Sequence, residues 1–231
     1  MKTKLFSIVL VILISSSVAL AQSSRKSGPN IGFGLLGGIN LQNLTGKDFW
    51  GDKLENKLVL GFHGGVNANI PLTLDFYLQP GLIFTVKGAR NIIEMISDEI
   101  KTTTRLSYLE LPLNLLYRPK LGDGNLLFGF GPYVAYGIFG NEKTTEGSLT
   151  DKQDVRFKNS VGASDPTTYA YYRALDAGAN IFFGYEIPSG LFCQLNAQLG
   201  MLQVNPDYEL LSEDKTSVKN TGFGLSVGYR F

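Results

Sequence analysis

The stretch YLELPLNLLYRP, residues 108–119, sets Leu109, Leu111, Leu113, Leu115 and Tyr117 on one side of an extended chain. Tyr108, Glu110, Pro112, Asn114, Leu116 and Arg118 fall on the other. Side chains of a strand point alternately to opposite faces, so the segment is a ribbon with one oily face and one mixed face. In a soluble sandwich or lipocalin-like barrel the leucines would fill a core. In a membrane barrel they would meet lipid, and Glu110, Asn114 and Arg118 would share the interior.

The other ribbons decide between the two. In GFGLSVGYRF (222–231), Phe223, Leu225, Val227, Tyr229 and Phe231 share one face, opposite Gly222, Gly224, Ser226, Gly228 and Arg230. In 191–201, Leu191, Cys193, Leu195, Ala197, Leu199 and Met201 oppose Phe192, Gln194, Asn196, Gln198 and Gly200. In 175–186, Leu175, Ala177, Ala179, Ile181, Phe183 and Tyr185 oppose Asp176, Gly178, Asn180, Phe182, Gly184 and Glu186. A soluble core cannot be built mainly of glycine and amides, nor a soluble exterior of a continuous Leu/Phe/Val band. A closed barrel satisfies every backbone group without water, which lets strands cross a bilayer. An eight-stranded barrel has room inside for small side chains mixed with amides.

Eight alternating segments are read, at about 31–43, 58–70, 73–88, 102–118, 125–139, 172–186, 190–203 and 220–231. The connections at 69–72, 119–124 and 186–190 are short and contain Pro or Gly, whereas 44–57, 89–101, 140–171 and 204–219 are long and charged. That alternation predicts an all-β, antiparallel, up-and-down transmembrane barrel of eight strands, trimmed on one side of the membrane and looped on the other. Tyr117, Tyr185, Tyr229 and Phe231 fall at the short-turn ends on the oily parity, where an interfacial girdle belongs.

Composition agrees. Charged residues are 18%, the formal net charge is +1, and the 27 glycines are spread through apolar ribbons, so neither a nucleic-acid partner nor a disordered linker is indicated. Lys2 and Lys4, the apolar run 5–14 and Ala19-Leu20-Ala21 read as a signal peptide over 1–21 cleaved near Ala21, followed by a short periplasmic leader over 22–30 and the barrel over 31–231. Cys193 is the sole cysteine, so no internal disulfide follows export. The expected location is the outer membrane of a Gram-negative cell.

The segments LQPGLIFTVKGA (78–89), YLELPLNLLYRP (108–119) and GFGLSVGYRF (222–231) resemble the PorT-like outer-membrane β-barrel domain of Bacteroidetes-type bacteria. One branch of that family is tied to a protein-secretion machine, and most members have no assigned activity. The resemblance therefore implies fold and location, with a secretion-machine component as one functional alternative. Phe231, with Tyr229 two before it, resembles the signal read by the barrel-assembly machinery.

Interior parity collects Asp75, Lys87, Glu110, Arg118, Asp176, Glu186 and Arg230. Such charges must pair or meet water. Asp75, Arg118, Glu186 and Arg230 are expected at the short-turn end, and with Glu110 they form the predicted interior charge cluster, a structural plug or gate. His63, the sole histidine, falls on interior parity, and no Ser/His/Asp spacing marks a triad. An enzyme acting on outer-membrane lipid would need its nucleophile and base at one lipid-facing rim, which makes the position of His63 relative to Ser107 the discriminating observation. One histidine and one lipid-parity cysteine make no metal cluster, and no cofactor is expected. The candidate outer-loop contacts are Trp50, Phe157, Tyr169 and Tyr171, because long loops carry function and aromatics favour binding surfaces. The reading is a non-enzymatic structural or binding protein. Its partners are outer-membrane lipid, the assembly machinery during biogenesis and an envelope protein met by the loops.

Overall fold

The computed structural model describes residues 31–94, 98–209 and 214–231, with the barrel unit spanning Gly32–Phe231. The signal peptide, its cleavage site and the leader lie outside the described residues. In chain order the strands are β1 (Gly32–Lys47), β2 (Val59–Pro71), β3 (Phe76–Glu94), β4 (Glu99–Tyr117), β5 (Lys120–Leu121), β6 (Gly124–Glu146) and β7 (Leu149–Phe157). They continue with β8 (Ser160–Val161), β9 (Ala170–Tyr172), β10 (Leu175–Glu186), β11 (Leu191–Gly200), β12 (Asp207–Tyr208) and β13 (Ser217–Arg230).

Eight of these close a ring in the order β1-β2-β3-β4-β6-β10-β11-β13, every neighbour antiparallel. β13 returns to β1 with Gly34 opposite Arg230 and Lys47 opposite Ser217, so the ring has no open edge along these rows. The predicted barrel, its strand count and its up-and-down order are all present.

Parity places the core. The exposed large apolar side chains are the oily rows, among them Phe33, Leu35, Ile39 and Leu41 of β1, Leu111 and Leu113 of β4, and Phe223, Leu225 and Val227 of β13. The buried side chains include many polar ones, among them Asn40, Asn67, Gln79, Asn114 and Ser226, beside smaller apolar clusters. A soluble protein has the reverse distribution. Of the leucines of YLELPLNLLYRP, Leu109, Leu111, Leu113 and Leu115 lie on the outward face, whereas Leu116 is buried inside the ring. At the short-turn end Tyr117 stacks on Phe76 at 4.8 Å and Tyr229 meets Phe231 edge-on at 5.0 Å.

Interior glycines let bulky residues lie flat within the narrow lumen. Gly129 faces Phe182 across the β6–β10 pair, and a Cβ there would sit 2.2 Å from the ring. Gly228 faces Phe192 in the same way across β11–β13, with 2.3 Å left.

The structure departs from the sequence reading at the long-loop end. Residues 89–94, 99–101 and 140–157, expected as loops, are largely strand, because β3, β4 and β6 run on together and β7 folds back on β6. Their Thr-rich, charged alternation lacks a continuous apolar face, yet the backbone ladder continues. β6 carries one extra residue around Ile138, where its register with β4 shifts between Ser107 and Tyr108. The turn after β2 also falls later than expected. β3 begins at Phe76, so Asp75 belongs to the turn and not to a strand face.

Candidate functional site

The lumen is built in layers. Near the long-loop end the Lys87 ammonium is fully buried and lies 2.9 Å from Glu110 Oε2 and 3.0 Å from Asp176 Oδ2. Lys87 belongs to β3 and Asp176 to β10, which are separated in the ring by β4 and β6, so this bridge crosses the lumen. Asn220 Nδ2 donates to Asp176 at 2.9 Å from β13, and the Tyr133 hydroxyl donates from β6 at 3.3 Å. Gln198 Nε2 donates to Glu110 Oε1 at 2.8 Å from β11. Lys87 Nζ also sits 4.2 Å from the Tyr133 ring centre, a cation–π contact. Leu106, Tyr108, Tyr133 and Ala135 pack around this outer lock, with Val155 and Tyr172 against them. A mouth layer of Leu44, Ala89 and Val204 lies beyond, with Tyr172 and Val218 packed on it.

At the short-turn end Glu186 accepts from Arg118 and forms an ion pair with Arg230, whose Nε lies 2.8 Å from Glu186 Oε2. These groups sit at the ends of β4, β10 and β13, no two of which are neighbours, so this inner lock also crosses the lumen. Leu116, Leu127, Phe182 and Phe192 form an apolar belt above it, joined by Leu36 and Tyr77. The outer lock holds two acidic residues against one basic one, and the inner lock two basic residues against one acidic one. Strand β10 supplies the central acid of both.

Between the locks lies a cavity of about 110 Å³ whose lining includes the amides Asn40, Asn67, Gln79, Asn114, Asn196 and Gln198. Gln79 donates to Asn69 at 2.9 Å, and Asn40 donates to Thr85 at 3.1 Å. The side-chain oxygens of Asn40, Gln42, Asn67 and Asn114 accept nothing from the protein, a lining suited to water.

The predicted charge cluster divides. Arg118, Glu186 and Arg230 meet as one group. Glu110 does not join them, because it stands eight residues before Arg118 on the same chain segment, roughly 26 Å in an extended strand. It pairs instead with Lys87, and the working lock at that level includes Asp176, Tyr133 and Asn220. All four lie on interior parity, which was the signal available. Asp75 contributes no ion pair among the described residues; its turn position leaves only its carbonyl, which accepts from Arg118 N at 2.7 Å.

The four loop aromatics also divide. Trp50 is 75% exposed, edge-on to Phe49 at 5.0 Å. Tyr169 holds Arg156 over its ring at 3.6 Å. Tyr171 is buried and donates its hydroxyl to Pro166 O at 2.8 Å, so it offers no contact surface. Phe157 turns inward over Gly137 and toward Tyr108, at 6.3 Å between centres, which removes it from the outer surface. The same loop is clamped by Lys158, which donates to both Asp165 oxygens at 2.7 and 2.5 Å. That hydrogen bond holds the Asp165 carboxyl below its ordinary range.

His63 faces the lumen. Its Nε2 lies 2.7 Å from Ser226 Oγ, which also accepts from Asn196 at 2.7 Å. Ser107 is on a different strand face and does not meet it. Among the described residues no carboxylate orients the ring, and no cluster of three metal-ligating side chains occurs.

Comparison with known proteins bears on the whole barrel. No curated protein matches the chain. Among solved structures, it is similar to Ail, the attachment invasion locus protein of Yersinia pestis, with 12% identity over 88% of this chain and 100% of that chain and a TM-score of 0.38. It is also similar to Ail in complex with the heparin analogue sucrose octasulfate, with 14% identity, the same coverage and a TM-score of 0.39. The model of the outer membrane protein beta-barrel domain matches residues 20–204. That match covers most of the chain, and the ring, the outward apolar rows and the polar lumen are what such a domain requires: this protein belongs to the outer membrane protein beta-barrel domain family.

Proposed function

We propose that the protein is a closed, non-enzymatic outer-membrane barrel that acts as a scaffold or binding protein through the structure at its long-loop end. The observation that carries this reading is the lumen, crossed twice by buried ion pairs with an apolar belt between them. A path for solutes would require both locks to part, and each leaves buried charges unpaired when it does. The side of the barrel with the investment of chain is the other end, where β3, β4, β6 and β7 extend into water and Trp50 and Tyr169 stand on the loops.

Lipid-directed catalysis is disfavoured, because the His63–Ser226 pair lies inside the lumen with no orienting acid beside it. The finer family reading, a PorT-like secretion-machine component, rests on segments 78–89, 108–119 and 222–231. It shares this geometry and differs in its partner. Export by the signal peptide, with cleavage near Ala21, completes the reading.

Two measurements test it. Reconstituted into planar bilayers, the protein is expected to show no steady conductance; large, stable channels would overturn the closed-barrel reading. A photo-crosslinking residue at Trp50 or Tyr169 in intact cells is expected to capture an envelope or extracellular partner that the same residue at Lys120, in a short turn, does not. Identical adducts from both ends would remove the long-loop end as the binding face.

A further inference from the structure

We infer that the outward face of the β3–β4–β6–β7 extension is a binding site for the phosphate groups of outer-leaflet lipid. Strand register puts Arg90 opposite Thr103, Thr103 opposite Lys143, and Lys143 opposite Lys152, so three cations stand on one rung across four strands. The next rung toward the membrane runs from Gly88 to Arg105, Asn141 and Asp154. Arg105 is therefore the diagonal neighbour of both Arg90 and Lys143. All four basic residues are exposed, and none forms an ion pair among the described residues. Like charges directly opposite on a sheet destabilise it, which Lys143 and Lys152 do here without an intervening acid. A bound anion reverses the sign of that contribution.

The acids on this face are few and peripheral. Asp154 stands at the β7 edge, and Glu94 and Glu99 share the outermost rung, where Lys101 holds Glu99 at 2.6 Å. The two rungs nearest the membrane thus carry four cations against one acid.

Position selects the occupant. This face is the continuation of the lipid-facing surface: Leu113, Leu111, Leu109, Ser107, Arg105 and Thr103 follow one another at alternate positions of β4. Ser107 lies opposite Phe139 and Leu109 opposite Phe84, and Phe62, Phe84 and Phe139 form an outward aromatic row with centres 5.8 and 6.0 Å apart. Arg105 comes two residues beyond Ser107, roughly 7 Å farther along the strand. A lipid whose chains lie on the aromatic row brings its headgroup to Arg105, Arg90, Lys143 and Lys152. Arginine engages phosphate through two parallel hydrogen bonds and lysine as a point charge, so the set suits a headgroup bearing more than one phosphate. The inference rests on the proposed function's orientation, with the long-loop end outside; the binding itself is measured without reference to orientation, so the two fail separately.

The test is titration of detergent-folded protein with bis-phosphorylated lipid A and with the same lipid lacking both phosphates. Arg105→Gln with Lys143→Gln is expected to weaken binding of the phosphorylated lipid about 25-fold, each cation at an anionic surface contributing about a fivefold factor. Lys53→Gln with Lys120→Gln, which removes the same charge elsewhere, is expected to leave it unchanged. Arg105→Lys with Lys143→Arg keeps the charge and is expected to retain most of the affinity, with heat-modifiable gel migration confirming a folded barrel in every variant. Equal affinity for the two lipids, or equal loss in the control pair, would overturn the site. Full competition by a soluble sulfated oligosaccharide would overturn the lipid as its occupant.

Discussion

Replacing Glu186 by alanine removes the one carboxylate that holds two guanidinium groups at the short-turn end. Glu186 is 3% exposed and Arg230 9%, so Arg230 would be left as a buried, uncompensated cation. Breaking such a pair from one side costs about 3–5 kcal/mol. The Arg118 side chain is 23% exposed and has access to water, so its lost partner adds no more than about 1 kcal/mol. Glu186→Ala is therefore expected to destabilise the barrel by about 4 kcal/mol, most of it from Arg230. The triple variant Arg118→Leu, Glu186→Leu, Arg230→Met removes every charge together and packs against Leu116, Leu127, Phe182 and Phe192. It is expected to lie close to the wild type, because a buried ion cluster replaced by apolar side chains of similar volume is often neutral or stabilising. Urea unfolding in lipid vesicles, followed by heat-modifiable gel migration, reads both. A single variant within about 0.5 kcal/mol of wild type would show the lock to be energetically silent. A triple variant as unstable as the single one would show that the loss came from packing and not from an unpaired charge.

Leu113→Arg puts a cation on the lipid face and is expected to cost about 2–4 kcal/mol near the bilayer midplane, whereas Asn114→Ser on the lumen side is mild. Spin labels at 109, 111 and 113 should report lipid and those at 110 and 114 should not; the reverse pattern would sink the membrane reading. Deleting Phe231 removes an exposed interfacial ring packed on Tyr229 and the hydrogen bond from its amide to Phe33 O at 2.9 Å, which ties the last strand to the first. Reduced assembly in cells, seen as loss of the heat-modifiable band, is expected, and unchanged assembly would make the terminal aromatic dispensable.

Which face of each ribbon meets lipid was legible in the sequence, because alternation in a strand is a local property of period two. The eight segments, the antiparallel order and the sorting of short turns from long loops followed from the same pattern. Interior parity also identified the charged residues of both locks. Which of those charges meet was decided only by tertiary structure. Parity specifies a face and leaves open the height of a residue relative to strands it does not touch in sequence. Glu110 and Arg118 share a face of β4 and belong to different locks, one with Lys87 and Asp176, the other with Glu186 and Arg230. The turn at Asp75 and the inward rotation of Phe157 were likewise beyond local pattern, since each depends on where a neighbouring strand stops. The basic rung across β3, β4, β6 and β7 is the extreme case. Arg90 is far along the chain from Lys143 and Lys152, which face each other across a hairpin, and only the register of three strand pairs makes them one surface. Alternation is set by the bonds within each residue, whereas register is set by hydrogen bonds between distant strands.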